Sequence, residues 1–439
     1  MTGTTGWADL ESVSVCVPDH YGRLAGKRIA AGRLETVLAS GLDMPDFHLI
    51  TGPDIQPSAG LAATGVHTGF PNDVLWPDMQ TFRRLPWDIS SGIVLAEARR
   101  RDGSLVAEAP RAILQQQVER LARLGLAAWV APEAEFYVYQ DSYRQSFRKG
   151  YRGLRPLYHR SGDNDVLVTD VLDQYLRPLR LAMAELGLPA ETTQGEGGSG
   201  QAEINFPARA PVPAADGHTL FKHAAKVIAH QQSRAVTFMA LPDQVQASSG
   251  CHLNVSLRDA ASRPCTAGGG AAGLSERARR FLAGVLAFSP ELTLLHAPLP
   301  NSYRRLQPGG WAPSAATWGY DNRAAMVRVV GRGPSLRMEF RLPGADANPY
   351  LAIAALLAAG VAGLEEDGIE LPAPAAEPAA PGMPMDLTEA IQRFEESKLA
   401  SHAFGDNIRD HVAGMARHQL RLARHAVTDW ELEHGFETA

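Results

Sequence analysis

The chain has 439 residues, 45% apolar and 21% charged, a balance that fits a soluble globular protein long enough for two or three domains. Its 42 basic and 48 acidic residues leave a net charge of −6, which argues against a nucleic-acid or anionic-membrane partner. The three cysteines (Cys16, Cys251, Cys265) form no CxxC pair, Met1–Glu11 has no signal-peptide pattern, and the longest apolar run, Tyr350–Ala362, is too short to span a bilayer, so a cytoplasmic enzyme is expected.

Apolar–polar alternation over Ser12–Val17, a turn at Tyr21-Gly22 and a second strand at Lys27–Ile29 predict a hairpin within 12–34. Residues 51–90, rich in Gly, Pro and Asp, read as long loops, and a strand is expected at Gly92–Ala98, making 1–105 a small β-rich domain. From Pro110 the period changes. Helices fit 111–124, 168–187, 218–235, 275–288 and 347–364, and strands fit Ala127–Tyr139, Gln201–Phe206, His252–Leu257, Met326–Val330 and Leu336–Leu342. Gly268–Gly270 is a loop, the Pro/Ala-rich segment 371–386 a linker or surface excursion, and 387–434 mostly helical. There is no internal repeat. Alternating strands and helices over this length indicate an α/β or α+β catalytic domain.

Four stretches carry chemical interest. In Pro132-Glu133-Ala134-Glu135-Phe136, strand alternation projects both glutamates to one face. Such a pair is either solvated or, beside Trp129, Val130 and Tyr137, compensated by cations. In Glu196-Gly197-Gly198-Ser199-Gly200-Gln201-Ala202-Glu203, a glycine loop could fold Glu196 toward Glu203, although alone it is more often a turn. In Ser249–Ser256, His252, Asn254 and Ser256 share a face, and an internally satisfied core histidine is the plainer reading. In Arg337-Met338-Glu339-Phe340-Arg341, the charged residues share one face, as in a surface charge ladder, with Arg305, Arg323 and Arg328 upstream. Together, five carboxylates and one imidazole suit hard divalent cations, Mg²⁺ or Mn²⁺, rather than zinc. Clustered arginines suit phosphates and carboxylates. Metals plus arginines are what phosphoryl transfer from a nucleotide needs.

In this order, and with Asn301–Leu306, Asn322-Arg323 and Ala347–Leu351, the motifs resemble the glutamine synthetase family from about residue 10 to about 435, most strongly over 110–365. The resemblance implies an α+β fold: a small N-terminal β-grasp domain (1–105) and a large catalytic domain (106–439) with a curved antiparallel sheet and flanking helices. It implies ATP and two to three Mg²⁺ or Mn²⁺ ions per site. Glu135, Glu196 and Glu203 match ligands of the metal that organises the carboxylate substrate. Glu133, His252 and Glu339 match ligands of the metal on the nucleotide phosphates. Arg305 and Arg341 match the pair that holds glutamate, with Ser248 near them. Arg323 matches the arginine on the transferring phosphoryl group, so Arg323, Glu339 and Arg305 are the implied catalytic residues. Arg328, Arg337, Asn254 and Ser256 match nucleotide contacts. A dodecamer of two stacked hexameric rings, with sites between neighbouring subunits, is also implied.

Departures from the family pattern bear on the nucleophile. Ammonia-using members carry an aspartate in a loop that falls near Ser58-Ala59-Gly60, where no acid stands; the nearest is Asp54. They also carry a glutamate six residues after the position of Arg305, where this chain has Trp311. An aromatic in place of an anion suits an organic amine; the plainer alternative is that Trp311 merely packs its loop. Ala247-Ser248 replaces an asparagine–glycine pair, and Asn254 a second histidine. The expected reaction is ATP-dependent joining of the γ-carboxyl of L-glutamate to a primary amine through γ-glutamyl phosphate. Ordinary glutamine synthesis from ammonia is the first rival. A catalytically inactive homologue is the second, and the complete set of ligands and arginines argues against it.

Overall fold

The computed structural model describes residues 6–268, 273–308, 310–375 and 382–438. Gly269 and Gly270 of the expected glycine loop, Gly309 of the tryptophan loop and residues 376–381 of the expected linker lie outside them.

The N-terminal part is a six-stranded sheet. β1 (Ser12–Pro18) and β2 (Leu24–Ala30) form the expected hairpin, and α1 (Leu34–Ser40), β3 (Leu42–Pro45), β4 (Asn72–Pro77), β5 (Arg83–Leu85) and β6 (Asp88–Arg99) follow. The strand order is β2-β1-β6-β4-β3, with β1 parallel to β6 and β5 pairing β6. Two of these strands correct the reading of 51–90 as loops. β4 lies between Pro71 and Pro77 and β5 is three residues long, so neither has a local pattern; both exist by pairing with β6.

The rest is built on an eight-stranded sheet. The elements are α2 (Pro110–Arg123), β7 (Leu126–Tyr139), α3 (Tyr143–Arg148), α4 (Val166–Glu185), β8 (Thr192–Gly195), β9 (Gln201–Asn205), α5 (Pro211–Gln231), β10 (Ala235–Thr237), β11 (Cys251–Asp259), α6 (Glu276–His296), α7 (Ser302–Arg305), β12 (Trp318–Tyr320), β13 (Val327–Val330), β14 (Arg337–Phe340) and α8 (Pro349–Glu365). The helices α9 (Leu387–Glu396), α10 (Lys398–Phe404), α11 (Asp406–His425) and α12 (Asp429–Gly435) complete the chain. The sheet order is β12-β13-β14-β11-β7-β9-β8, with β10 on β7. It is antiparallel except for the parallel pair β12–β13. Two helices differ from expectation. α5 begins at Pro211, because proline is well suited to the first helical turn. α6 runs through Pro290 to His296, its tail held in the core by Leu292, Leu294 and Leu295.

One face of this sheet is apolar and the other polar. Val130, Leu253, Val255, Leu257, Met338 and Phe340 pack on α2, α6 and α8. Ala134, Phe136, Ala202 and Ile204 pack on α4 and α5, and this second core also takes in Cys16, Ile93 and Leu95 of the N-terminal sheet. Residues Pro349–Gly363 of α8 are buried on every side, yet no described helix is long and apolar enough to cross a membrane. Arg111 joins the two sheets, donating to Asp78 Oδ2 at 2.7 Å and to Asp216, which Tyr350 also reaches at 2.6 Å. All three cysteines are free.

Candidate active site

The polar face of the sheet gathers the charged residues by register. Glu133 on β7 stands opposite His252 on β11, and Glu135 opposite Glu203 on β9. One step outward, Glu339 on β14 stands between Asn254 on β11 and Arg328 on β13. Alternation sets the faces, and antiparallel pairing brings residues distant in sequence into adjacent rows.

Glu133, His252 and Glu339 each offer a donor atom, all within 4.8 Å of one another. His252 Nδ1 is 3.4 Å from Glu339 Oε1 and 3.9 Å from Glu133 Oε2; its Nε2 is 3.8 Å from Glu135 Oε1. Despite these acids, burial holds the imidazole pKa well below its usual range, with Arg341, Arg305, Arg323 and Arg328 adding to the effect. Desolvation and four guanidiniums outweigh the carboxylates, so His252 is neutral and keeps a lone pair for a metal.

A second acid group adjoins the first. Burial, then the charge of Glu196, pushes Glu135 up to about 7. Burial, then repulsion from Glu135, Glu196 and Glu133, pushes Glu203 up to about 9. Glu133 rises to about 7 through burial and Glu339. Individual bonds hold these acids in place. Gly250 N donates to Glu135 at 2.8 Å, Gln194 to Glu196 at 3.0 Å, and Asn205 to Glu203 at 2.8 Å. Oxygen-rich donors that repel one another in a dry site, with one neutral imidazole, fit hard divalent cations.

The arginines divide by partner. Arg328 and Arg341 grip Glu339 from both sides at 2.8 and 2.7 Å, and Arg337 donates to Asn254 at 2.8 Å. Arg305, 5% exposed, is held by the carbonyls of Leu342 and Arg341 at 2.8 and 3.0 Å rather than by a carboxylate. The Nε atoms of Arg305 and Arg341 are buried without a protein partner. Two desolvated guanidiniums with spare donors suit an anionic substrate group.

Two glycines are required by close approach. A Cβ at Gly250 would lie 2.8 Å from Arg305 and 2.9 Å from His252, and one at Gly198 would lie 1.8 Å from Tyr137 Oη. Gln201 is a further polar residue of the site. Its Nε2 reaches the Ser248 carbonyl and Ser249 Oγ, both at 3.1 Å, and Glu135 at 3.4 Å, while its Oε1 accepts from Gly198 N at 2.8 Å. The signal for it was its position two residues before Glu203, on the same strand face. Asp321, which pairs with Arg328 at the outer edge, lies in a turn and had no such signal.

The glutamine synthetase catalytic-domain family matches residues 107–434. This chain belongs to the glutamine synthetase family. It is 42% identical over 434 residues to gamma-glutamylethanolamide synthetase GlnA4 of Streptomyces coelicolor, covering 98% of this chain and 93% of that protein. It is 33% identical over 381 residues to glutamate–isopropylamine ligase of a Pseudomonas species, covering 85% and 83%. A solved GmaS/ADP complex superposes with a TM-score of 0.85 at 26% identity, over 98% of this chain and 97% of that one. The chain is thus an α+β ligase of a family that uses ATP and a divalent metal.

The remaining predicted residues lie around this centre. Ser256 is half-buried on the polar face beyond Asn254, and Ser248 is half-buried in the strand approach to β11. Arg323 is exposed in the turn after β12, close enough for its charge to act on His252. Trp311 is 79% exposed, so it does not merely pack its own loop. The loop turns tightly just after α7, where a Cβ at Gly310 would lie 3.5 Å from the Gln307 carbonyl and 3.8 Å from the Arg305 carbonyl. Asp54, the nearest N-terminal acid to the expected ammonium loop, pairs with His418 of α11 at 3.3 Å.

Proposed function

We propose that this enzyme joins the γ-carboxyl of L-glutamate to an organic primary amine at the expense of ATP, and that it uses ammonia poorly. The observation that supports the amine is Trp311, an exposed indole six residues after Arg305, at the position where ammonia-using relatives are expected to carry an acid. The relatives named for ethanolamide and isopropylamine products support the same reading.

In this reading Glu135, Glu196 and Glu203 would hold one metal ion and Glu133, His252 and Glu339 another, two to three ions in all. The bound ions supply charge neutralisation for phosphoryl transfer. Arg305 and Arg341 hold the glutamate carboxylates, with Ser248 beside them. Arg328, Arg337, Asn254 and Ser256 position the nucleotide. Arg323 neutralises the phosphoryl group as its bond to ADP breaks and its bond to the γ-carboxylate oxygen forms. The amine nitrogen then attacks the γ-carbonyl carbon, phosphate leaves with the carboxylate oxygen, and the nitrogen loses a proton. Trp311 offers an aromatic face to the incoming amine. Residues 1–105 form the small domain and 106–439 the catalytic domain. Twelve copies in two stacked hexamers would let each N-terminal domain close a neighbour's site in the cytoplasm; a light-scattering mass near the monomer would remove that part of the proposal.

The deciding experiment measures phosphate release with saturating ATP, Mg²⁺ and glutamate across ammonium and a broad amine panel. At least one primary amine is expected to exceed ammonium in kcat/KM by about tenfold, roughly 1.4 kcal/mol of transition-state binding. Ammonium turning over faster than every amine would defeat the proposal.

A further inference from the structure

Arg305 ends α7, a helix of only 4 residues, too short to hold its own direction by internal hydrogen bonds. Contacts from outside must fix it. Asn301, just before the helix, makes no side-chain cap; its amide bonds across to Leu241, accepting from the nitrogen at 3.0 Å and donating to the carbonyl at 2.9 Å. Ser302 Oγ accepts from Leu299 N at 3.0 Å and donates to Asp346 Oδ2 at 2.6 Å. Asp346 closes the short segment that begins with Arg341 and Leu342, whose carbonyls hold the Arg305 guanidinium. One carboxylate thus joins the helix that carries Arg305 to the segment that receives its guanidinium.

That segment is itself tied down. Cys251 N donates to the Pro343 carbonyl at 2.9 Å, Ala345 N to the Ser249 carbonyl at 3.0 Å, and the buried Lys222 of α5 to the Ala345 carbonyl at 2.8 Å. Gly344 permits the close packing, since a Cβ there would lie 2.5 Å from Asp346 Oδ1. This second oxygen is sealed from solvent with no hydrogen-bond partner. Burial raises the Asp346 pKa, while the Ser302 hydrogen bond and the charges of Lys222 and Arg305 act the other way. A carboxylate with an orphaned oxygen is unfavourable in such a place, so what it holds matters more than what it contributes to the fold. We infer that Asp346 is a positioning residue for the carboxylate substrate: through Ser302 it locks α7 to the 341–346 segment, so that Arg305 keeps its Nε free for glutamate. Asp346 acts only through these groups and touches no substrate. This rests on the proposed reading of Arg305 as a glutamate contact. Arg328 and Arg337, on β13 and β14, lie outside the lock, so nucleotide binding is its internal control.

The test is calorimetric titration of the full-length protein, first with Mg²⁺·ADP and then with L-glutamate on the ADP-loaded protein. Asp346→Ala is expected to weaken glutamate about tenfold and to leave ADP unchanged. Asp346→Asn, which keeps an oxygen for Ser302, should stay within about twofold of wild type, a rescue that separates position from charge. Ser302→Ala removes the hydroxyl alone and should weaken glutamate by several fold; it decides the matter where Asp346→Ala does not fold. Adding Asp346→Ala to Ser302→Ala should change little more, because the two residues act through one bond. Unchanged glutamate affinity in the alanine variants would overturn the lock, as would an asparagine variant as weak as the alanine one, or equal loss of glutamate and ADP, which marks a general collapse. Arg305→Lys identifies a failure of the underlying reading: wild-type glutamate affinity in that variant would show that Arg305 does not hold the substrate, and would overturn both.

Discussion

Glu339→Ala is expected to abolish ATP-dependent ligation and to destabilise the fold by about 3–5 kcal/mol. The carboxylate has 4% side-chain exposure, and it accepts from Arg328 and Arg341, whose side chains are 13% and 8% exposed. Removing it leaves two guanidiniums facing each other across a dry site with His252 between them and the other acids. A buried pair is poor support for a fold in net terms, because desolvation offsets its attraction, but breaking one partner away is costly. Glu339→Gln keeps the shape and one acceptor oxygen, so it should lose less stability while losing the donor needed beside Glu133 and His252. The measurement is a denaturant midpoint for both variants, with Mn²⁺ titrated against melting temperature. An alanine variant as stable as wild type would mean that water screens these arginines more than their burial implies.

Alternation in three strands carried most of what the sequence revealed about this site. Glu133 and Glu135, His252 and Asn254, and Arg337, Glu339 and Arg341 each sort to one face by a period of two, and the structure places all three sets on the same side. What alternation cannot supply is register. That Glu135 meets Glu203 and not Asn205 depends on how β9 pairs with β7, a tertiary choice driven by the apolar residues on the other face. Arg305 shows the limit more sharply. The resemblance matches it to a contact with the substrate's carboxylates; within the chain it is held by the two carbonyls that follow β14, which no side-chain pattern announces. β4 and β5 were hidden for the same reason: they are short, bounded by prolines, and exist through β6. The helices were legible because their apolar stripes are long. Their ends differ from the expected ones at Pro211, where α5 starts, and beyond Pro290, through which α6 continues.

Glu203→Gln should have the opposite sign to Glu339→Ala: a more stable metal-free protein and a dead enzyme. Glu203 has no cationic partner among the described residues; burial and the charges of Glu135, Glu196 and Glu133 raise its pKa from 4.5 to about 9. Because the folded protein holds this proton more tightly than the unfolded chain, the stability it contributes is complete below about 4.5. It is lost as pH rises toward about 9. Glu133 and Glu135, each pushed up to about 7, add to the same loss at lower pH. The metal-free protein should therefore melt at progressively lower temperature as pH rises through this window. Mg²⁺ competes with those protons, so the gap between metal-free and metal-saturated melting curves should widen with pH. Glutamine keeps the oxygen that accepts from Asn205 and removes the repelled charge. At the alkaline end of the window its metal-free melting temperature should exceed that of wild type by about 2 °C, with little further response to Mg²⁺. A lower melting temperature in metal-free Glu203→Gln would show that this carboxylate is compensated by the fold itself. In that case the acids form a structural network and the repulsion that makes them a metal site is absent.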